Sequence, residues 1–160
     1  MAETGTTMVI VTDAGFAPDD RAGALMAGTY GEVSLDDLRA GLPEDRPPRI
    51  GLNLAADADA RAVAPHFNWL DAITISFESF ADGRGFSLAT QLRRLGFDGR
   101  LIAQGHVIAD QYAHARRCGF DAVAIDARLA ARQPEGQWTA QVSRIDVTYQ
   151  NRLRQAPIVA

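Results

Sequence analysis

The segment from Glu78 to Ser87 contains the residues of this chain best suited to binding an anion. Gly83 and Gly85 flank Arg84, and a predicted helix follows directly. Glycines let the backbone approach a ligand closely, the free N–H groups at a helix start favour anions, and arginine adds a planar cation that matches an oxyanion. The pattern predicts a phosphate, sulfate or carboxylate site. The alternative is a tight turn in which Asp82 caps backbone groups and pairs with Arg84. The predicted ligand contacts are Asp82, Gly83, Arg84, Gly85 and Ser87, joined by Gln104 and Gln111 of the next loop.

The loop from Gln104 to Gln111 supplies the candidates for acid–base chemistry. His106 is suited to proton transfer near neutral pH, and Asp110 is close enough in sequence to orient its ring. The alternative is that Asp110 favours the start of a helix electrostatically while His106 is a solvated turn residue. His106 and Asp110 are therefore candidates for catalysis, with no reaction identified.

The sequence shows no motif for a reactive thiol, a metal site or a dinucleotide cofactor. The only cysteine, Cys118, follows two arginines at a predicted helix C-terminus, a position that does not activate a thiol, and a lone cysteine holds neither a disulfide nor an iron–sulfur cluster. The three histidines lack metal-ligand spacing, so no metal is predicted. Leu88 stands where a dinucleotide fingerprint needs its third glycine. The cofactor is therefore unknown, and whether the chain is an enzyme stays open.

Composition limits the partners. The 160 residues carry a formal net charge of -4 and a pI near 5.3, so we expect no nucleic-acid partner. The polar start around Glu3 does not resemble a signal peptide, and no apolar run approaches the roughly 18 residues that span a bilayer. The predictions are a single domain, a cytoplasmic location and no membrane partner.

Four strands are predicted to begin near residues 50, 72, 100 and 122, and they alternate with helices. This spacing predicts an α/β fold with a parallel sheet of βα units, either half-TIM-barrel-like or open and doubly wound. A weakly patterned front section (1–48) precedes the βα core (49–126), and a closing helix is predicted over about 137–152. Ser34, Asp57 and Ser87 are predicted helix N-caps.

The carboxyl ends of parallel strands lie at one edge of a sheet, where ligands bind in such folds. We therefore expect Asp82, Arg84 and Ser87 to lie close to Gln104 and Asp110. The closing helix would present an apolar face, and exposed sheet edges are often covered by a second subunit, so a homo-oligomer is predicted. Its apolar positions are Trp138, Val142, Ile145 and Tyr149.

An ordered set of short motifs resembles one bacterial family. The motifs are DGRGFS from Asp82 to Ser87, Leu92-Arg93, Gly105 with Val107, Asp110-Gln111, and RCGFD from Arg117 to Asp121. Together they resemble the family catalogued as domain of unknown function 934, over about Ile50 to Asp126 and again at Tyr149-Gln150. The front section fits that family poorly.

The resemblance implies a role beside sulfite reduction, because members take their names from neighbouring sulfite-reductase genes. It also implies an oxidoreductase label that no residue motif supports. Two positions depart from the usual L-R-A-x-G-D-V pattern: Ile102 replaces a basic residue and His106 an acidic one. A ligand contact made by those family residues would be altered here.

Three functions follow as hypotheses. The first is an accessory protein of assimilatory sulfur metabolism that binds an anionic ligand at the DGRGFS loop. The second is a non-catalytic module that docks on a sulfite-reduction enzyme. The third is a small TIM-like isomerase or lyase that acts on a phosphorylated substrate. A bound oxyanion favours the first or third, and a flat apolar surface around Trp138 favours the second.

Overall fold

The computed structural model describes residues 7–145, which form seven strands and seven α-helices with three 3₁₀ turns. In chain order these are β1 (Met8–Thr12), β2 (Gly15–Pro18), α1 (Asp20–Met26), β3 (Tyr30–Val33), α2 (Leu35–Ala40), β4 (Arg49–Ala55), α3 (Ala60–Val63), a 3₁₀ turn (Ala64–Trp69), β5 (Ala72–Phe77), α4 (Arg84–Arg94), β6 (Arg100–Gly105), a 3₁₀ turn (Ala109–Gln111), α5 (Tyr112–Cys118), β7 (Ala122–Asp126), α6 (Ala127–Arg132), α7 (Glu135–Thr139) and a 3₁₀ turn (Val142–Arg144). None of the described helices is both long and apolar enough to cross a membrane.

The strands form one sheet in the order β2-β1-β7-β6-β5-β4-β3. Strands β3 to β7 are parallel, and β1 pairs antiparallel with both β7 and β2. The predicted α/β fold and the parallel arrangement of the four core strands are confirmed. Within the described parallel part the strand order follows the chain without reversing, whereas a doubly wound sheet reverses at a switch point.

Both faces of the central strands are buried, because successive side chains of a strand point to opposite faces. Leu101 and Ala103 of β6 belong to the main core with α3, α4 and α5. The intervening Ile102 packs on the other face with Ile10, Ala122 and Ala124. Such two-sided burial explains the continuous apolar runs of these strands.

The front section is more ordered than its sequence pattern predicts. β2, α1 and β3 all lie within the stretch from Asp13 to Val33, most of which has no clear period. Asp19 caps α1 by accepting a hydrogen bond from the Arg21 backbone N–H. The predicted N-cap Ser34 is confirmed, and it forms a capping box with Asp37.

Two predicted helices differ in the structure. Asp59, and not Asp57, caps α3 by accepting from the Arg61 N–H at 3.0 Å, and α3 ends after four residues in a 3₁₀ turn that contains a proline. The closing helix predicted over about 137–152 is interrupted: α7 ends at Thr139, and a separate 3₁₀ turn follows. Tyr149 lies outside the described residues.

Candidate functional site

The loops after β5 and β6 are hydrogen-bonded to each other at the carboxyl end of the sheet. The His106 N–H donates to the Phe77 carbonyl at 2.9 Å, and His106 Nδ1 lies 2.6 Å from the Glu78 carbonyl oxygen. Gln111 Nε2 donates to the Phe80 carbonyl at 2.8 Å. These bonds fix the backbone of the β5 loop against the start of the following βα unit.

The Asp82–Arg84 turn has the geometry of the tight-turn alternative. Asp82 Oδ1 accepts from the Arg84 backbone N–H at 3.1 Å and from Arg84 Nε at 2.9 Å. Asp82 Oδ2 accepts from Arg84 Nη2 at 2.9 Å. The hydrogen bonds from the Arg84 side chain lower the pKa of Asp82 to about 2. Asp57 adds a second carboxylate, 4.0 Å from Arg84 Nη1. Arg84 is therefore surrounded by negative charge, which disfavours an anionic ligand there.

The two glycines of this turn differ in their surroundings. Gly83 stands in open space, whereas a methyl group at Gly85 would lie 2.4 Å from the Phe77 ring. Gly85 thus allows α4 to pack closely on β5. The prediction that Ser87 caps the helix is wrong, because α4 already begins at Arg84 and Ser87 lies exposed in its first turn.

The two polar residues after β6, Asp110 and Gln111, do not form a common ligand site with His106. Gln111 uses both ends of its carboxamide in the fold, since Oε1 accepts from the Ile108 N–H at 3.0 Å while Nε2 bonds Phe80. Asp110 is exposed and, among the described residues, makes no hydrogen bond to His106. In this structure the Glu78 carbonyl, and not Asp110, is the hydrogen-bond partner of His106 Nδ1.

A cavity of about 320 Å³ lies beside these loops, where β6 and β7 end. It contains the predicted residues Gln104 and His106 and one residue that sequence reasoning missed, Arg132. Arg132 is the last residue of α6, the helix that follows β7. Ligands bind beyond the carboxyl ends of parallel strands, and this rule, applied to the segment after β7, could have predicted Arg132. The lining residues are Met8, Phe80, Gln104, Gly105, His106, Asp126, Leu129 and Arg132.

Three cavity-lining side chains have hydrogen-bonding capacity to spare. Gln104 Oε1 accepts from Arg21 Nη2 at 2.9 Å, which leaves its NH₂ group without a partner among residues 7–145. His106 Nδ1 faces a carbonyl oxygen and must carry a proton, and Nε2 has no hydrogen-bond partner among residues 7–145. Within the same described range, Arg132 is exposed and has no ion pair with a carboxylate.

One carboxylate also lines the cavity. Asp126 accepts from the Leu129 N–H at 2.8 Å and so caps α6. Asp126 and Arg132 therefore contribute opposite charges to the cavity lining.

The remaining reactive groups lie outside this cavity. Cys118 Sγ is 3.5 Å from His114 Nε2 on α5, but burial raises the pKa of the thiol and lowers the pKa of the imidazole. The pair therefore favours a protonated thiol and a neutral ring. Within the described part of the chain, no group of three or more His, Cys, Asp or Glu side chains could hold a metal ion.

Of the two departures from the family pattern, only one lies at the cavity. Ile102 is fully buried in the smaller core, and His106 lines the cavity. A search of curated proteins finds no match to the chain. The family model described as "Bacterial protein of unknown function (DUF934)" matches residues 51–159, more than half of the sequence. The chain therefore belongs to the DUF934 family.

Proposed function

We propose that this protein binds a small oxyanion in the cavity formed by Gln104, His106 and Arg132, as an accessory protein of assimilatory sulfur metabolism. The carrying observation is Arg132, an exposed residue of the cavity lining that forms no ion pair within residues 7–145. Arg84, which the sequence pattern favours, lacks this property because Asp82 already occupies its fork. The proposal keeps the predicted ligand class and moves its main contact from the DGRGFS loop to the neighbouring cavity.

The chemistry of the cavity supports an oxyanion over a cation. The free donors are the Gln104 NH₂ group and the Arg132 guanidinium. Charge-assisted N–H···O bonds of this kind are the strong ones, and arginine pairs with planar or tetrahedral oxyanions through two parallel bonds. The Asp126 carboxylate opposes the ligand, which predicts modest affinity.

The pathway part of the proposal rests on the family resemblance. Sulfite is the oxyanion of first choice because the names of family members connect them with sulfite reduction. Sulfate and phosphate are the comparison ligands, since phosphate would favour the isomerase or lyase hypothesis. A deletion strain that grows normally on cysteine and poorly on sulfate would support the sulfur role; equal growth on both would count against it.

The docking-module hypothesis gains no support from the surroundings of Trp138. A flat apolar surface around Trp138 would favour this hypothesis, but Trp138 is 0% exposed, and its ring N–H donates to the Gln133 carbonyl at 2.9 Å. This hypothesis remains a proposal without a supporting patch at that position. The same burial removes Trp138 from the predicted self-association face, and the homo-oligomer stays a prediction.

Isothermal calorimetry with sulfite, sulfate and phosphate tests the binding proposal. Arg132→Gln should weaken binding roughly 10- to 100-fold, the scale of losing one charge-assisted hydrogen bond of about 1.5–3 kcal/mol. Arg128→Gln is the matched control, because Arg128 is an exposed arginine of the same helix that does not line the cavity. Arg84→Gln is the second control.

The controls separate the possible sites. Binding that survives Arg128→Gln and Arg84→Gln but falls in Arg132→Gln supports the cavity. A loss caused by Arg84→Gln alone would move the site back to the DGRGFS loop. Equal losses from Arg128→Gln and Arg132→Gln would indicate general charge attraction, and no binding by the wild type would refute the proposal.

A further inference from the structure

A buried arginine from the front section contacts one wall of the cavity. Arg21 of α1 is 7% exposed, and it packs against the sheet face opposite α3, α4 and α5. Its Nη1 donates to Thr74 Oγ1 at 3.1 Å, and its Nη2 donates to Gln104 Oε1 at 2.9 Å. Residues 74 and 104 stand on neighbouring strands, so Arg21 bridges β5 and β6, and its contact with the cavity lining is Gln104.

Arg21 uses most of its donors within the fold. Asp19 accepts from Nε at 3.0 Å and from Nη2 at 2.8 Å. With the bonds to Thr74 and Gln104, four of the five N–H groups of the guanidinium are used. The fifth has the Glu32 carboxylate as its nearest acceptor, 3.9 Å from Nη1. Of the hydrogen bonds of Arg21, the one to Gln104 reaches a residue of the cavity lining.

The guanidinium determines which way the Gln104 carboxamide points. Arginine has donors and no acceptor, so only the oxygen of a carboxamide can face it at hydrogen-bond distance. A flipped amide would place its NH₂ group against the cation and leave a donor of Arg21 unsatisfied, which is costly for a buried group. The NH₂ group of Gln104 is consequently directed away from Arg21.

We propose that Arg21 is a positioning residue of the oxyanion cavity: it holds Gln104 so that the carboxamide presents its NH₂ group, and not its oxygen, to the ligand. This inference rests on the proposed function. It makes the front section, which lies before the family match at residue 51, part of the site's specificity. A carboxamide held in this way favours ligands that only accept hydrogen bonds and disfavours cations.

Side-chain ¹⁵N relaxation tests the positioning without any ligand. In the wild type the Gln104 NH₂ group should be as rigid as the backbone, and in Arg21→Lys it should become mobile on the ps–ns timescale. The exposed Gln91, whose carboxamide has no described partner, serves as the internal reference and should be mobile in both proteins. A mobile Gln104 in the wild type, or one unchanged in Arg21→Lys, would overturn the inference.

A double-mutant cycle with sulfite tests the consequence for binding. Arg21→Lys should weaken binding at least tenfold in the wild-type background and cause no further loss in Gln104→Met, because the two residues act as one unit. A purely structural role would give equal losses in both backgrounds and would refute the inference. If the wild type binds no anion, the proposed function fails while the relaxation result still stands by itself.

A second variant covers the case in which Arg21→Lys fails to fold. Gln104→Glu keeps an oxygen for Arg21 but places a second oxygen where the NH₂ group was. We expect a folded protein, checked by a thermal melt, whose sulfite affinity is at least tenfold lower. Wild-type affinity in folded Gln104→Glu would contradict the role of the NH₂ group.

Discussion

Replacing Gly85 with alanine tests whether the glycines of the DGRGFS loop serve packing or ligand access. A methyl group at Gly85 would lie 2.4 Å from the Phe77 Cζ atom, whereas carbon atoms pack best at about 3.5–4.0 Å. The Phe77 ring cannot swing away, because it packs against Phe86 and Phe120 with centroid distances of 4.9 and 5.9 Å. Either α4 must shift or the aromatic cluster must repack.

The expected cost follows from this overlap. Overpacking of a rigid core site costs about 1–3 kcal/mol, which outweighs the gain of up to about 1 kcal/mol that alanine brings to a helix. For a chain of this size we expect the melting temperature of Gly85→Ala to fall by roughly 2–12 °C. Gly83→Ala is the matched control, because its methyl group meets nothing within 4 Å and should change stability by less than about 0.5 kcal/mol.

Chemical and thermal unfolding of both variants, with sulfite calorimetry on each, gives the test. We expect Gly85→Ala to lose stability and Gly83→Ala to keep it, with sulfite affinity retained in Gly83→Ala. A stable Gly85→Ala would refute the packing argument. A Gly83→Ala protein that is stable but binds no anion would show that the loop backbone approaches the ligand after all.

Three further predictions concern single contacts. Arg84→Gln should return the pKa of Asp82 from about 2 towards its ordinary value of about 3.9. Because the folded-state pKa is the lower one, the stabilisation that this pair provides is present above about pH 4 and is lost as the pH falls towards 2. An NMR titration of Arg84→Gln that leaves the Asp82 pKa near 2 would contradict the assignment. Tyr112→Phe removes a buried hydroxyl that lies 2.6 Å from Asp13 Oδ1, so the free energy of unfolding should fall by about 1 kcal/mol in urea titrations, and an unchanged value would be the contrary result. Gly105→Ala should cost at least about 2 kcal/mol, because φ is +111° and the methyl group would lie 2.6 Å from a backbone carbonyl oxygen; a melting temperature equal to the wild type's would argue against this geometry.

The sequence predicted the parallel core well because its signals are local. Apolar runs begin near residues 50, 72, 100 and 122, and each is followed by helical spacing, so the four βα units were predictable, whereas their order in the sheet was left open. The front section was not, because β2 and β3 have four residues each and are too short to establish a period. They form the two edges of the sheet, where β2 pairs with β1 and β3 pairs with β4.

The site was only partly predictable, because part of it depends on contacts between residues that are far apart in the sequence. Gln104 and His106 follow from the rule that ligands bind where parallel strands end. The bidentate pairing of Arg84 with Asp82 was weighed as an alternative, but spacing alone could not decide between a clamp and a free cation. The orientation of Gln104 depends on Arg21, which lies 83 residues away, and no local pattern reveals that contact.

Arg132 illustrates a different limit. An arginine at the end of a short exposed helix usually increases solubility, and its sequence neighbours give no sign of a ligand. Its significance comes from the position of α6 directly after β7, which places the side chain at the wall of the cavity.

The location of a bound oxyanion tests the central claim most directly. Crystals of the protein soaked in selenite, a heavier analogue of sulfite, would reveal the anion by anomalous scattering. We predict a peak in the cavity, within hydrogen-bond distance of the Gln104 NH₂ group and the Arg132 guanidinium. A peak at Arg84 with an empty cavity, or no peak at either position under conditions where calorimetry detects binding, would contradict it.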